Sequence, residues 1–203
     1  MRGVLKTIVL VVFLAGATWA ACDTAHAADL CRQYQRSVTR EAQAVMGIGA
    51  PVPLLLAQMR QESSCRADVT AWDNGRGLAQ FMDATAQHVA NVYPEIGKPD
   101  PYNPTWAIRA LVRYDDWLGR RVQAISPCDR WGAVLASYNG GLGYVQQSQR
   151  ASPAPGSWWG ITEHFPSRQS PANFAAARSY PRRIIQNHQP IYRDAGVYTC
   201  EKL

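Results

Sequence analysis

Glu62 is the residue of this chain best placed to do chemistry. It closes an apolar run, LLLAQMRQ over residues 54–61, and a glycine-rich turn, DNGRGLAQ over residues 73–80, follows it. Leu55, Met59 and Glu62 stand at i, i+4 and i+7, so a helix drawn here puts all three on one face. That face is otherwise apolar, and Glu62 points where a core residue would point. A carboxylate held against apolar surface loses hydration when it ionises, so its pKa rises from an ordinary value of ~4.3 towards neutrality. A glutamic acid that keeps its proton at neutral pH can protonate the leaving oxygen of a glycoside. The competing reading is a helix-end glutamate that reaches solvent or caps the next turn.

The elements that would hold Glu62 read as helices almost throughout. A first helix runs from about Leu30 to Met46, where Gly47 and Gly49 end it. The Glu62 helix starts near Pro53 and ends at Glu62 or Ser63, and a third covers Ala84 to Val92. Asn103-Pro104 opens a fourth that reaches about Val122, with Ile108, Leu111, Leu118 and Val122 on one stripe. Asp129 is a good cap for a fifth, in which Trp131, Val134, Leu135 and Tyr138 share a face before Gly140-Gly141 stops it. A short helix over Leu142–Gln149 and a last one from Pro181 to about Ala195 complete the set. Residues 151–172 carry four prolines and Trp158-Trp159 with no clear period, and read as an irregular surface excursion. Thr70 to Phe81 is the one stretch suited to a short hairpin. The expected fold is mainly α, six to seven helices in a single domain over residues 28–203.

Residues 1–27 read as a secretory signal peptide. Arg2 and Lys6 flank an apolar run, Ile8 to Ala17, and Ala25-His26-Ala27 forms a small-residue cleavage site. Retention as an anchor and lipidation at Cys22 are the alternatives, and Trp19 fits the second poorly. Export brings oxidising conditions, so the remaining Cys31, Cys65, Cys128 and Cys200 are expected to form two disulfides; three pairings are open. Their spacing, and that of His88, His164 and His188, gives no metal-ligand pattern, so no metal or cofactor is expected. Without the leader the chain holds 19 Lys+Arg against 14 Asp+Glu, a net charge of +5. That balance suits an anionic polymer such as cell wall, or an ordinary solvated surface. The basic residues are scattered rather than striped, which argues against nucleic acid as a partner.

Three runs in order, RQESSC (60–65), GRGLAQFMDATAQ (75–87) and LASYNGG (135–141), resemble the motifs of family-1, SLT-type lytic transglycosylases. The intervening NPTWAIRALVRYDDWLGRRV is similar to that family's middle helix, and SYPRRIIQNHQPIY is a plausible continuation. The likeness covers roughly residues 50–147 and departs from the family at Ala79 (usually Met), Ser137 (usually Ala) and Asp83 (usually Pro). It implies the lysozyme-like fold of goose-type lysozymes and cleavage of the MurNAc-β-1,4-GlcNAc bond of peptidoglycan. The family's single Glu is both acid and base, and the products end in 1,6-anhydromuramic acid.

Carried onto this chain, the resemblance makes Glu62 catalytic, with Ser63 holding its carboxylate and the Tyr138 hydroxyl bonded to it. Gln80 and Asn139 would bind the N-acetyl sugar, Gly77 would let backbone approach it, and Tyr180 would be a cleft tyrosine ahead of the last helix. Plainer readings stand beside these. Ser63 is a helix-end serine, Tyr138 a core ring, Asn139 a helix C-cap, Gln80 a solvated loop residue and Gly77 a turn glycine. Trp158 and Trp159 could stack on sugars, but packing the excursion explains them better. No nucleophilic carboxylate is expected opposite Glu62; the residues to check are Asp68, Asp73, Asp83 and Asp115. Asp115 is expected to be buried and paired with an Arg. Asp73 and Asp83 fall in runs that vaguely resemble goose-type lysozyme, which hydrolyses with water, although turn formation and helix capping account for both. The alternatives are therefore a hydrolytic goose-type muramidase or an inactive wall-binding assembly module. The expected setting is periplasmic or extracellular, as a monomer, with secretion, conjugation or phage-lysis machinery as possible company.

Overall fold

A computed structural model describes residues 29–201. The expected leader, residues 1–27, lies outside them. At the centre is α2 (Val52–Ser63), in which every residue from Val52 to Met59 is buried, Gln58 included. A helix apolar on all sides must be surrounded. Here α1 (Gln35–Met46) packs on one side, and a π-helical turn (Arg183–His188) and a 3-10 segment (Gln189–Ala195) pack on the other. Next to this core lies α4 (Pro104–Gly119), against α1, α3 (Asp83–Val92) and α5 (Pro127–Gly140). In turn α5 packs on α6 (Leu142–Ala151) and α7 (Pro171–Arg182). The described residues thus form seven α-helices and no strand, in line with the mainly α expectation. The expected hairpin amounts to two isolated antiparallel bridges, Thr70–Arg76 and Arg76–Phe81.

Local chemistry sets the helix starts. Asn103 caps α4 by accepting from the Thr105 and Trp106 amides at 2.9 and 3.4 Å, with Pro104 in the first turn where its missing N–H costs nothing. For α5 the cap is Ser126 rather than Asp129. The Ser126 hydroxyl accepts from the Asp129 amide at 3.0 Å and donates to the Asp129 carboxylate at 2.6 Å. Asp129 is the third residue of the helix, the partner position of a capping box, and Pro127 fits the first.

Three boundaries differ from expectation. The first helix is α-helical only from Gln35, after a 3-10 turn over Arg32–Tyr34. The fourth helix stops at Gly119, and the Arg121 and Val122 amides turn back onto the Leu118 carbonyl. The last helix begins at Pro171, capped by Ser170, so Pro181 sits inside it. Proline withholds one backbone donor, and the chain passes from α7 into the π-helical turn directly afterwards.

The irregular segment is accordingly 152–170, and it is anchored. Trp158 is buried, the Trp159 indole donates to the Cys128 carbonyl at 2.9 Å, and the Trp159 amide donates to Asp129 at 3.2 Å. Glu163, fully buried, pairs with Arg182 of α7 and accepts from the Gly160 amide at 2.7 Å. The four cysteines pair as Cys31–Cys65 and Cys128–Cys200, which ties the segment before α1 to the turn after α2, and the segment after the last 3-10 helix to α5.

Gly132 lets this segment dock, since a Cβ there would lie 2.2 Å from Cδ1 of Trp158 and 2.8 Å from the Trp159 ring. Gly132→Ala is expected to destabilise by about 1–3 kcal/mol through overpacking. Gly143→Ala, in open space on α6, should be neutral or stabilising by up to ~1 kcal/mol. Urea unfolding of both variants checks this; equal effects would mean that Trp158 does not rest on Gly132.

Candidate active site

Glu62 lies in the last turn of α2, where the buried helix comes out against a cleft of about 200 Å³. The cleft wall also includes Tyr138 and Asn139 from the end of α5, and Gln80, Gly75, Asp73, Ala71 and Met82 from the turn region. The end of α2, the turn region that follows it and the distant end of α5 thus meet around one carboxylate. The chain leaves α2 through two consecutive left-handed residues, Ser64 (φ 54°) and Cys65 (φ 60°), a conformation that costs roughly 1–2 kcal/mol each outside glycine. The Cys31–Cys65 disulfide fixes this exit, and with it the depth at which Glu62 sits.

The turn region is built to come close to the helix ends. Gly77 adopts φ 66°, and a Cβ there would lie 1.8 Å from the Pro101 carbonyl oxygen, so glycine is required on both counts. Leu78 and Ala79 are fully buried, which leaves their carbonyls in need of donors. Ser63 Oγ donates to the Leu78 carbonyl at 2.9 Å, and the Tyr138 hydroxyl donates to the Ala79 carbonyl at 2.7 Å. In the structure both hydroxyls therefore hold the loop, rather than bonding the Glu62 carboxylate. Gln80 is left-handed (φ 49°), and its Nε2 donates to the Gly77 carbonyl at 2.8 Å.

The hydroxyl that does donate to Glu62 Oε1 is that of Tyr180, a buried residue inside α7 and directly before Pro181. Glu62 is half-buried, crowded by protein while it lines the cleft. Loss of hydration is the dominant influence and raises its pKa from 4.5 to about 7; the Tyr180 hydrogen bond opposes this, the Asp73 charge adds to it and the Arg183 charge opposes it. Burial, with the Glu62 charge next, raises both Tyr138 and Tyr180 well above the usual phenol range, so each hydroxyl stays a donor at physiological pH.

The other carboxylates have separate fates. Asp83 opens α3 as an exposed residue paired with Arg76 at 2.6 Å, and is not part of the cleft wall. Asp68 is exposed and outside it too. Asp73 does line the cleft, and its Oδ1 accepts from the Gly75 amide at 3.2 Å, a local turn bond. Asp115 is buried as expected, but its partner is Gln58 Nε2 at 3.4 Å rather than an arginine. Burial raises its pKa well above the carboxylate range, so it needs no cation. Trp158 and Trp159 are packing residues on α5, away from the cleft wall. Ala71 and Met82 were not singled out from the sequence, and no residue-type signal marks them.

The raised pKa has a thermodynamic sign. Glu62 binds its proton more tightly folded than unfolded, so the fold loses stability as pH rises from about 4.5 to about 7, by about 3 kcal/mol in all. Glu62→Gln keeps an acceptor for Tyr180 but never ionises. It should match the wild type near pH 4 and exceed it by up to about 3 kcal/mol at pH 8. Urea unfolding at the two pH values measures this, and a pH-independent difference would contradict a raised pKa.

The family model described as Transglycosylase SLT domain matches residues 41–158, which include Glu62, Ser63, Gln80, Tyr138 and Asn139 and end before Tyr180. The membrane-bound lytic murein transglycosylase F of Maricaulis maris (strain MCS10) is 31% identical over 144 residues, covering 68% of this chain and 29% of that protein. The chain thus matches less than a third of the length of that relative. Among solved structures, the 70 kDa soluble lytic transglycosylase of Escherichia coli superposes with a TM-score of 0.56 at 21% identity, over 79% of this chain and 24% of that one. An inactive glutamate-to-glutamine mutant of lytic transglycosylase Slt from Pseudomonas aeruginosa gives 0.58 at 21% identity, over 80% and 25%. The helical arrangement is shared with part of each of these two structures, and with more than half its length matched by the family model, this chain belongs to the transglycosylase SLT domain family.

Proposed function

We propose that this protein is a peptidoglycan lytic transglycosylase that cleaves the MurNAc-β-1,4-GlcNAc bond and leaves 1,6-anhydromuramic ends. The observation that carries the proposal is the position of Glu62, a carboxyl at a polar cleft with its pKa raised to about 7. Glu62 gives its proton to the bridging oxygen as the bond to the anomeric carbon breaks, while the substrate's own N-acetyl oxygen attacks that carbon. The Glu62 carboxylate then takes the proton of the 6-hydroxyl, whose oxygen closes onto the anomeric carbon and expels the N-acetyl oxygen. No water is consumed, and Glu62 returns to its starting state. Gln80 and Asn139 both line the cleft and supply amides for the N-acetyl sugar. Ser63 and Tyr138 fix the loop that carries Gln80, and Tyr180 orients Glu62 while stabilising its ionised form.

The same reading makes residues 1–27 a leader and residues 28–203 one exported domain acting on the wall outside the cytoplasmic membrane. Among the described residues no helix is long and apolar enough to cross a membrane.

A second reading, hydrolysis by water, has one observation in its favour: Asp73 shares the cleft with Glu62. Mass spectrometry of soluble muropeptides released from purified peptidoglycan separates the two. Products one water lighter than reducing muropeptides, and absent with Glu62→Gln, are expected. Reducing ends that disappear with Asp73→Asn would establish the hydrolase instead.

The pH dependence follows from the acid's role. Because Glu62 must carry its proton when substrate arrives, kcat/KM should be level below about pH 7 and fall roughly tenfold per unit above it. A profile falling from pH 5 upward would show a Glu62 of ordinary acidity and contradict the mechanism.

A further inference from the structure

Among the described residues Trp72 has no packing role. It is 96% exposed, whereas Trp106 and Trp158 are buried and Trp117, Trp131 and Trp159 are at least half-buried. Its neighbours on both sides, Ala71 and Asp73, line the cleft that holds Glu62. The turn that carries Trp72 therefore borders the site, and its indole is open to solvent there.

That turn is held in shape. The Ala71 amide donates to the Gly75 carbonyl at 2.8 Å, and the Asn74 amide donates back to Ala71 at 3.0 Å, so Trp72 occupies the tip of a closed turn. Asp73 accepts from the Gly75 amide inside the same turn. At its base, Thr70 Oγ1 and the Tyr102 hydroxyl are 2.6 Å apart, and Thr70 pairs with Arg76. A large aromatic ring is thus presented to solvent on a braced support, and little ordering remains to be done when a ligand meets it.

The size of the cleft explains why such a ring would be useful. The cleft around Glu62 is a local indentation of about 200 Å³ that opens directly to solvent. A polymeric glycan must therefore run past the cleft over the adjoining surface. The cleft wall is mostly polar and suits amides and hydroxyls. A pyranose also has an apolar C–H face, whose hydrogens carry the partial positive charge that the negative face of an indole attracts.

The geometry points to Trp72 as a sugar-stacking residue, forming a glycan subsite on the bordering turn, beyond the residue bound next to Glu62. The inference rests on the glycan-cleaving reading above and adds a position at which the strand is gripped. Trp72 touches no reacting atom, so its contribution is to binding and registration of the strand.

The test uses the full mature chain with soluble, uncrosslinked glycan strands for kinetics. N-acetylglucosamine oligomers of increasing length are titrated calorimetrically into the inactive Glu62→Gln background. Trp72→Ala should raise KM about tenfold with kcat little changed, because an aromatic stack of this kind contributes on the order of one decade of affinity. Trp72→Tyr should recover most of the loss, and the melting temperature should not move because the side chain is exposed. Oligomer affinity should rise with length in the Trp72 protein and stop rising earlier in Trp72→Ala.

Unchanged KM and unchanged length dependence in Trp72→Ala, with the wild type still releasing anhydro products, overturn the subsite and leave the transglycosylase reading intact. A wild type that cleaves no glycan overturns that reading instead, and the oligomer titration still decides whether Trp72 stacks on sugar. A KM increase accompanied by a lower melting temperature that Trp72→Tyr does not recover would mean a structural role, and also overturns the subsite.

Discussion

The conflict between burying α2 and ionising the carboxylate at its end governs the site. From Val52 to Met59 the helix has no solvent face, so it can exist only with other elements around it. Glu62 belongs to the same rigid rod, one turn further on. Packing that buries Leu55 and Met59 therefore carries Glu62 into crowded surroundings, whatever the carboxylate would prefer. The energy that forces it there comes from the apolar side chains before it, each worth roughly 1.5–3 kcal/mol on full burial. Their sum comfortably exceeds the cost of one poorly hydrated carboxylate. Function here draws on the stability of the core rather than on any special strength of the site.

The loop facing Glu62 obeys a different constraint. Leu78 and Ala79 are buried without belonging to a helix or strand, so ladder hydrogen bonds cannot satisfy their carbonyls. Ser63 from α2 and Tyr138 from α5 provide those donors. Each bond links two of the three sequence motifs, and together they bring the end of one helix, the loop and the end of another into a single unit. A hydroxyl beside a catalytic carboxylate does not have to bond it to matter. Here Ser63 and Tyr138 set where Gln80 stands, while Tyr180 reaches Glu62 from a helix that closes last in the chain.

What the sequence disclosed and what it hid follow from how far each interaction reaches. The i, i+4, i+7 spacing of Leu55, Met59 and Glu62 is local, and it located both the helix and the perturbed acid. The sequence does not distinguish Ser126 as the α5 cap because Asp129, also a good capping residue, stands three positions later; only the bond direction in space separates a cap from its box partner. The start of α7 is not legible in the sequence because PANFAAARSY has little apolar periodicity and Pro181 resembles a beginning. Tertiary packing against α5 holds this stretch helical where its own pattern does not. The pairing of Cys31 with Cys65 and the use of Gln58 rather than an arginine beside Asp115 are contacts between distant segments, which periodicity cannot register.

The carboxylates around Glu62 show why counting them is a poor guide to mechanism. Asp83 has its charge matched by Arg76 at the surface. Asp115 is so poorly hydrated that its proton is retained, and it lies on the core side with Gln58. Only Asp73 brings a carboxylate to the cleft, and its effect on Glu62 is to raise the pKa. A negative charge near an acid makes that acid hold its proton more firmly, because ionisation would place two like charges close together. The second carboxylate of a two-carboxylate glycosidase must do something else: attack the sugar, or position the water that does. Asp73 already spends one oxygen on the Gly75 amide in its own turn, which fixes where its charge sits relative to Glu62. A single-acid enzyme has as much use for a fixed negative charge in the cleft as a hydrolase does, since its one glutamate must enter the reaction protonated. The presence of Asp73 is therefore compatible with chemistry that never uses water, and the chemical form of the product, rather than the inventory of acids, distinguishes the two mechanisms.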